Sequence, residues 1–223
     1  MDGLGIIASY AFVSLVIAGA TLMVRGGALT PLTARKLIHV GVSHWWLLAM
    51  VMMDDPWVAS VGPFTFIFIN ALALKFHLLP VMDRDADRRN WGTVYFPISL
   101  LVLVNLCWRH IMPIWVGAVA ALVLGWGDGL AALVGDRVRG RGIPIWGGRK
   151  TLAGSAAMLG ASFVVTLVLT LLFNPRFGAF FPAVGVSLAV AACATLVEAL
   201  TPFGIDNITV PLASAALYGG LFT

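Results

Sequence analysis

Apolar positions in this chain come in long blocks broken by short polar stretches. Eight blocks stand out: Leu4–Val24, Leu37–Met53, Trp57–Leu74, Val94–Trp108, Ile111–Val134, Leu152–Phe173, Ala179–Leu200 and Ile208–Phe222. Each is near the length of a helix that crosses a bilayer, about 20 residues, some tilted and some slightly short. The fourth and the eighth are the shortest.

Composition agrees with this pattern. Apolar residues make up 60% of the 223, charged residues 11%, and mean hydropathy is +0.97. A soluble domain is closer to half apolar and a quarter charged, so the expected fold is all-α: a polytopic integral membrane bundle of about eight transmembrane helices. The spans take up nearly the whole length, so residues 1–223 are read as one domain. The first block has no basic region before it and no small-residue cleavage site, and is read as a retained helix. Cys107 and Cys193 lie in apolar blocks without metal-ligand spacing and are read as small hydrophobes.

Charge sets the orientation. Twelve of the fourteen basic residues fall in the loops after the first, third and fifth blocks, leaving Arg109 and Arg176 on the other side. The positive-inside rule makes the basic side cytoplasmic and puts both termini on the non-cytoplasmic side, in agreement with an even number of spans. The same placement explains the net charge of +4 without a nucleic-acid partner. Asp83, Asp85 and Asp87, interleaved with Arg84, Arg88 and Arg89, read as a solvated loop.

Small residues mark close helix approach at Ala118, Ala121, Gly125 and Gly129, and again at Gly185, Ala189 and Ala192. Trp45, Trp46, Trp57, Trp91, Trp108 and Trp115 lie near block ends and read as interfacial anchors.

An ionisable group inside a span costs a few kcal/mol at least, so each needs a partner or a purpose. Asp128 lies about two turns before the basic end of the fifth block. It is either paired structurally with a loop arginine or part of a site. Asp136 is nearer the loop, where Arg137 or Arg139 can pair with it. Gly147, Gly148, Arg149, Lys150 and Thr151 then lead into the sixth block. Thr151 can cap that helix, leaving N–H groups and the positive dipole end toward the loop. Glycines let backbone approach a phosphate, and Lys150 adds a point charge. This is not a Walker A loop, because Arg149 intervenes and no strand is expected before it. Glu198 lies about one turn from the basic-side end of the seventh block. Asp206 and Asn207 follow a Pro-Gly turn and, with Pro211, read as the start of the last helix. Arg35, Lys36 and His39 open the second block, either as topogenic charges with a polar contact or as a further part of the site. His44, His77 and His110 are scattered and give no ligand spacing.

Four stretches carry a resemblance: RKLIHVG at 35–41, GTVYFPISL at 92–100, GDGLAALVGDRVRG through KTLAGS at 127–155, and DNITVPL at 206–212. In these the chain resembles the polyprenol kinase family of dolichol, phytol and farnesol kinases and the CTP-dependent diacylglycerol kinase. The phytol-kinase-like branch fits best, through GTVYFP and DNITVPL. The resemblance implies a multi-pass enzyme of a prokaryotic cell membrane. It would phosphorylate the hydroxyl of a membrane-embedded lipid alcohol at the cytoplasmic face, with CTP as donor and Mg²⁺ or another divalent cation. By it Asp128, Lys150, Thr151, Gly154, Glu198, Asp206 and Asn207 inherit site roles. Asp128, Lys150, Glu198 and Asp206 are then the catalytic candidates, and Asp128, Glu198 and Asp206 the metal ligands. The nucleotide would lie on Gly147 to Thr151 with Gly154, Ser155 and Asn207. Ala132 and Ala153 stand where many relatives have acidic residues, so neither supplies a ligand here.

Two other classes compete. A cytidylyltransferase acting on phosphatidate shares the substrate type, but its acidic cluster near a basic C-terminal motif is not found. A transporter would want its polar groups near the midplane and an inverted repeat, whereas here they gather at the span ends.

Overall fold

The computed structural model describes residues 1–76, 78, 91–138, 142–145, 148–173 and 180–221. Gly147 and the loop charges Asp83, Arg84, Asp85, Asp87, Arg88, Arg89, Arg139, Arg141 and Arg176 lie outside these, as do His77, Ala179 and Phe222. The helices are α1 (Asp2–Arg25), α2 (Pro31–Ser43), α3 (Trp45–Met52), α4 (Pro56–Phe76), α5 (Gly92–Trp108), α6 (Ile114–Leu122), α7 (Gly129–Arg137), α8 (Leu152–Phe173), α9 (Phe180–Leu200) and α10 (Asp206–Gly220). Five helical stretches are long and apolar enough to cross a membrane, and α5 is a shorter apolar helix.

Three differences from the expected set of spans bear on the site. The second block is not one helix: it divides at His44 into α2 and α3. The fifth is one rod, Ile114–Arg137, but a π-helical segment, Val123–Asp128, joins α6 to α7 within it. Gly125, Trp126 and Gly127 are weak formers of regular α-helix, which makes a wider turn tolerable there. Such segments are frequent at functional positions. The fold is also not purely helical. Strands β1 (Gly142–Ile145) and β2 (Gly148–Thr151) pair antiparallel, with Ile143 opposite Lys150 and Gly142 opposite Thr151. The basic loop expected to lack a strand is therefore a hairpin, whose ladder supplies the backbone partners that a loop would have to find in water.

The rod Ile114–Arg137 is the centre of the bundle. Its most apolar stretch is 78% buried inside the protein, against 17–28% for the other four spans. Gly125 and Gly129 act as the spacing suggested, and Gly117, outside that stripe, does the same. A Cβ on Gly117 would fall 1.9 Å from Cζ2 of Trp46, one on Gly125 2.2 Å from Oγ of Ser43, and one on Gly129 2.6 Å from Cγ2 of Val40. Glycine there lets α2 and α3 lie directly against the rod.

The other two interior readings are corrected. Trp45, Trp46 and Trp108 are buried, not interfacial anchors. Their indole N–H groups donate to Ser9 Oγ (2.9 Å), the Ile114 carbonyl (3.0 Å) and the Met53 carbonyl (3.0 Å), so each finds inside the bundle the partner an anchor would seek in the headgroups. Trp57 and Trp91 are exposed, as an anchor requires. In α9 the face of Gly185 and Ala189 is exposed, whereas Ala183, Ser187, Val190, Ala191, Ala194 and Glu198 face inward. The carboxylate of Glu198 has to find partners inside, and the residues three and four apart from it turn inward with it.

The charges sort to the two ends of the bundle. At one end Asp2 accepts from the Asp54 backbone N–H (2.9 Å), and the Arg109 guanidinium lies over Trp57, 5.1 Å from the ring centre. Lys36, Asp128, Lys150, Glu198 and Asp206 gather at the other. Cys107 and Cys193 are free thiols, as read.

Candidate functional site

Three acids from three elements meet at the basic end. Asp128 is the last residue of the π-helical segment, Glu198 lies in the last turn of α9, and Asp206 is the first residue of α10. Exposure is only 7%, 4% and 8% respectively, and one carboxylate oxygen of each lies within 4.8 Å of the others. Between α9 and α10 the chain turns through Phe203 and Gly204, with φ of 60° and 79°. Glycine adopts this left-handed conformation freely; for Phe203 it is uncommon, so the turn is held by its surroundings. It brings Asp206 back beside Glu198. The Asn207 backbone N–H and its Nδ2 both donate to Asp206 Oδ1 at 3.0 Å, and Nδ2 also donates to the Gly204 carbonyl (3.1 Å). Asn207 thus holds one oxygen of Asp206 and leaves Oδ2 facing Lys150, 3.6 Å away.

Three buried negative charges so close need cations. Lys150, on β2, donates to Glu198 Oε1. Burial by itself would depress the Lys150 ammonium, but the carboxylates of Glu198 and Asp206 outweigh it and raise its pKa above the usual lysine range. Lys36, on α2, donates to Asp128 Oδ2 at 2.6 Å, and His39 Nε2 lies 3.5 Å from the same oxygen. The His39 ring also packs on Phe96, with centres 4.7 Å apart. Among the described ion pairs, two lysines face three carboxylates, one negative charge in excess. Hard oxygen donors at this spacing, with that excess charge, suit a divalent cation such as Mg²⁺.

The remaining candidates are placed around this cluster. Thr151 Oγ1 accepts from the Gly154 N–H at 3.0 Å, the cap expected at the start of α8. Gly154 is buried, and a Cβ there would sit 2.8 Å from the Ala131 carbonyl, so it lets α8 rest on α7. Ser155 is half-buried in the first turn of α8, and Gly148 and Arg149 belong to β2. Arg35 is half-buried, one residue before Lys36. Asp136 is exposed near the end of α7, away from the three acids.

Sequence reasoning left Lys36 open. Lys36 is an ion-pair partner of Asp128, so it is more than a topogenic charge. The signal was present: Lys36, His39, Val40 and Ser43 recur at three- and four-residue spacing, which places polar groups on one face of α2. A topogenic charge has no need to share a face with a histidine.

Among known proteins, the chain is 32% identical over 213 residues to the phytol kinase of Synechocystis sp., covering 96% of this chain and 88% of that one. It is 30% identical over 228 residues to a probable chloroplastic phytol kinase of Triticum aestivum, covering 88% and 74%. It is 31% identical over 200 residues to the probable phytol kinase 2 of Glycine max; the match takes in 85% of this chain but 65% of that longer protein. No family model and no solved structure matches the chain.

Proposed function

The chain belongs to the phytol-kinase-like polyprenol kinase family, and from that membership we propose that it is a lipid-alcohol kinase. It transfers the terminal phosphoryl group of a nucleoside triphosphate, CTP, to the hydroxyl of a membrane-embedded prenol such as phytol, geranylgeraniol or farnesol. The observation that carries the reading is the meeting of Asp128, Glu198 and Asp206 within 4.8 Å beside Lys150 and Lys36 at one end of the bundle.

Phosphoryl transfer asks mainly for positioning and for neutralised charge. Asp128, Glu198 and Asp206 would hold Mg²⁺, which supplies charge neutralisation at the nucleotide phosphates. Lys150, paired with Glu198 and Asp206, lies where it can exchange those partners for phosphate oxygens. Gly148 and Arg149 precede Lys150 in β2, and Thr151, Gly154 and Ser155 belong to the capped start of α8 that follows it, so the nucleotide would lie along this stretch. Lys36, donating to Asp128 Oδ2, orients that carboxylate. One of the three carboxylates accepts the proton of the attacking hydroxyl, whose oxygen takes the phosphoryl group as the nucleoside diphosphate leaves. The site would lie at the cytoplasmic face; what supports this is the count of twelve of the fourteen basic residues in the loops after the first, third and fifth apolar blocks.

The test uses purified protein in detergent with Mg²⁺, a panel of prenols and diacylglycerol, and each of the four common nucleoside triphosphates. Release of nucleoside diphosphate together with a prenyl monophosphate is the expected result, with CTP the preferred donor. Release of pyrophosphate would identify a cytidylyltransferase. Absence of turnover with every alcohol would remove the kinase reading.

A further inference from the structure

The proposed function uses Asp128 but leaves open what fixes its direction. Asp128 ends a π-helical segment, and an extra residue in a helix rotates everything after it by about 100°. The direction of its carboxylate therefore depends on that segment keeping its register. In a segment containing Gly125 and Gly127, backbone preference alone holds the register weakly.

The structure supplies a second hold. His44 stands at the break between α2 and α3, and its ring bridges two elements. Trp126 Nε1–H donates to His44 Nε2 at 3.2 Å. With Nε2 accepting, the ring proton is on Nδ1, which donates to the Val40 carbonyl at 2.8 Å. The rings meet edge to face, with centres 5.8 Å apart. Trp126 is two residues before Asp128. Around it, Gly125 fits against Ser43 and Gly129 against Val40, while Lys36 binds Asp128 itself. The face of α2 from Lys36 to His44 thus lies along the whole π-helical segment: Lys36 holds Asp128 at its end, and the His44–Trp126 hydrogen bond ties the middle of the segment to the break between α2 and α3.

We infer that His44 is a positioning residue: through Trp126 it holds the register of Val123–Asp128, and so sets the direction in which Asp128 presents its carboxylate to Glu198 and Asp206. This rests on the kinase reading for its catalytic consequence. The structural consequence stands without it.

The experiment compares His44→Phe, Trp126→Phe, the double variant and His44→Gln with the parent by amide hydrogen exchange across Val123–Gly129 and by prenol phosphorylation. Phenylalanine keeps ring bulk and removes the hydrogen bond, whereas glutamine keeps one donor and one acceptor. In both phenylalanine variants the amides should exchange faster and kcat should fall about 10-fold or more, as for groups that orient a metal-site ligand, with KM for the alcohol little changed. The double variant should be no worse than the worse single, and His44→Gln should recover much of both properties. Parent-like exchange in both single variants overturns the inference, as do losses that multiply in the double variant. So does His44→Gln behaving like His44→Phe. If His44→Phe does not fold, Trp126→Phe decides by the same criteria. A parent inactive toward every alcohol removes the kinase reading, while exchange still decides the clamp.

Discussion

Glu198→Gln separates a structural acid from a catalytic one, because the structure assigns opposite signs to its two effects. One carboxylate oxygen each of Asp128, Glu198 and Asp206 lies within 4.8 Å of the others. At an effective dielectric near 20, each like-charge pair at that distance repels by about 3–4 kcal/mol. The attraction of Lys150 for Asp206 at 3.6 Å is about 4–5 kcal/mol on the same scale, and its closer contact with Glu198 is somewhat stronger. Neutralising Glu198 removes one attraction of about 5 kcal/mol and two repulsions of about 3–4 kcal/mol each, and relieves part of the burial penalty of a charge. The glutamine carbonyl can still accept from Lys150. The balance is close to zero and leans toward stability, so the midpoint of thermal unfolding in detergent should stay level or rise. Activity should move the other way. A residue that helps to place several kcal/mol of charge stabilisation at the phosphates should take turnover down by about 10²–10³-fold when neutralised. The assay is nucleoside diphosphate release at saturating Mg²⁺ and prenol, alongside unfolding followed by tryptophan fluorescence. Substantial turnover in Glu198→Gln would remove it from the site. A midpoint lowered by many degrees would show that Glu198 serves chiefly as the counter-ion of Lys150.

Lys150→Gln should also lose most turnover but should lower the unfolding midpoint, because it leaves Glu198 and Asp206 without their shared cation; a level midpoint would mean that the pairing is absent in solution. Gly117→Val should destabilise by about 1–3 kcal/mol through overpacking against Trp46, and Trp46→Leu on the same chain should recover part of that, read by the same unfolding assay. Single cysteines at Asp54 and Arg137, in a background lacking Cys107 and Cys193, should be labelled from opposite sides of the membrane, position 54 from outside; labelling of position 137 in intact cells would invert the proposed orientation.

Much of the site was legible because charge in an apolar chain is conspicuous. Asp128, Glu198 and Asp206 stand out as acids in or beside spans, and Lys150-Thr151 as a basic residue and cap at a helix start. The structure brings the four together. The convergence itself was not legible: it required α9 and α10 to fold back through Phe203 and Gly204, and a hairpin to carry Lys150 inward. Lys36 could be read as a topogenic charge or as part of the site, and only the placement of α2 along the rod, with Lys36 on Asp128, decided between the two.

The pattern of apolar blocks and the placement of Lys and Arg determined the helical class and the division of the bundle into a basic and a non-basic end. What the sequence could not determine was which face of each span turns inward. A helix in a membrane is apolar toward its neighbours and toward lipid alike, so hydrophobic periodicity loses the contrast that orients a helix in water. That is why Trp46 and Trp108 could be taken for anchors, and Gly185 for a packing residue, until their neighbours were known. The π-helical segment was beyond sequence for a related reason. Its register depends on Trp126 reaching His44 and on Gly125 and Gly129 meeting α2, contacts between segments about eighty residues apart in the chain that only the tertiary structure supplies.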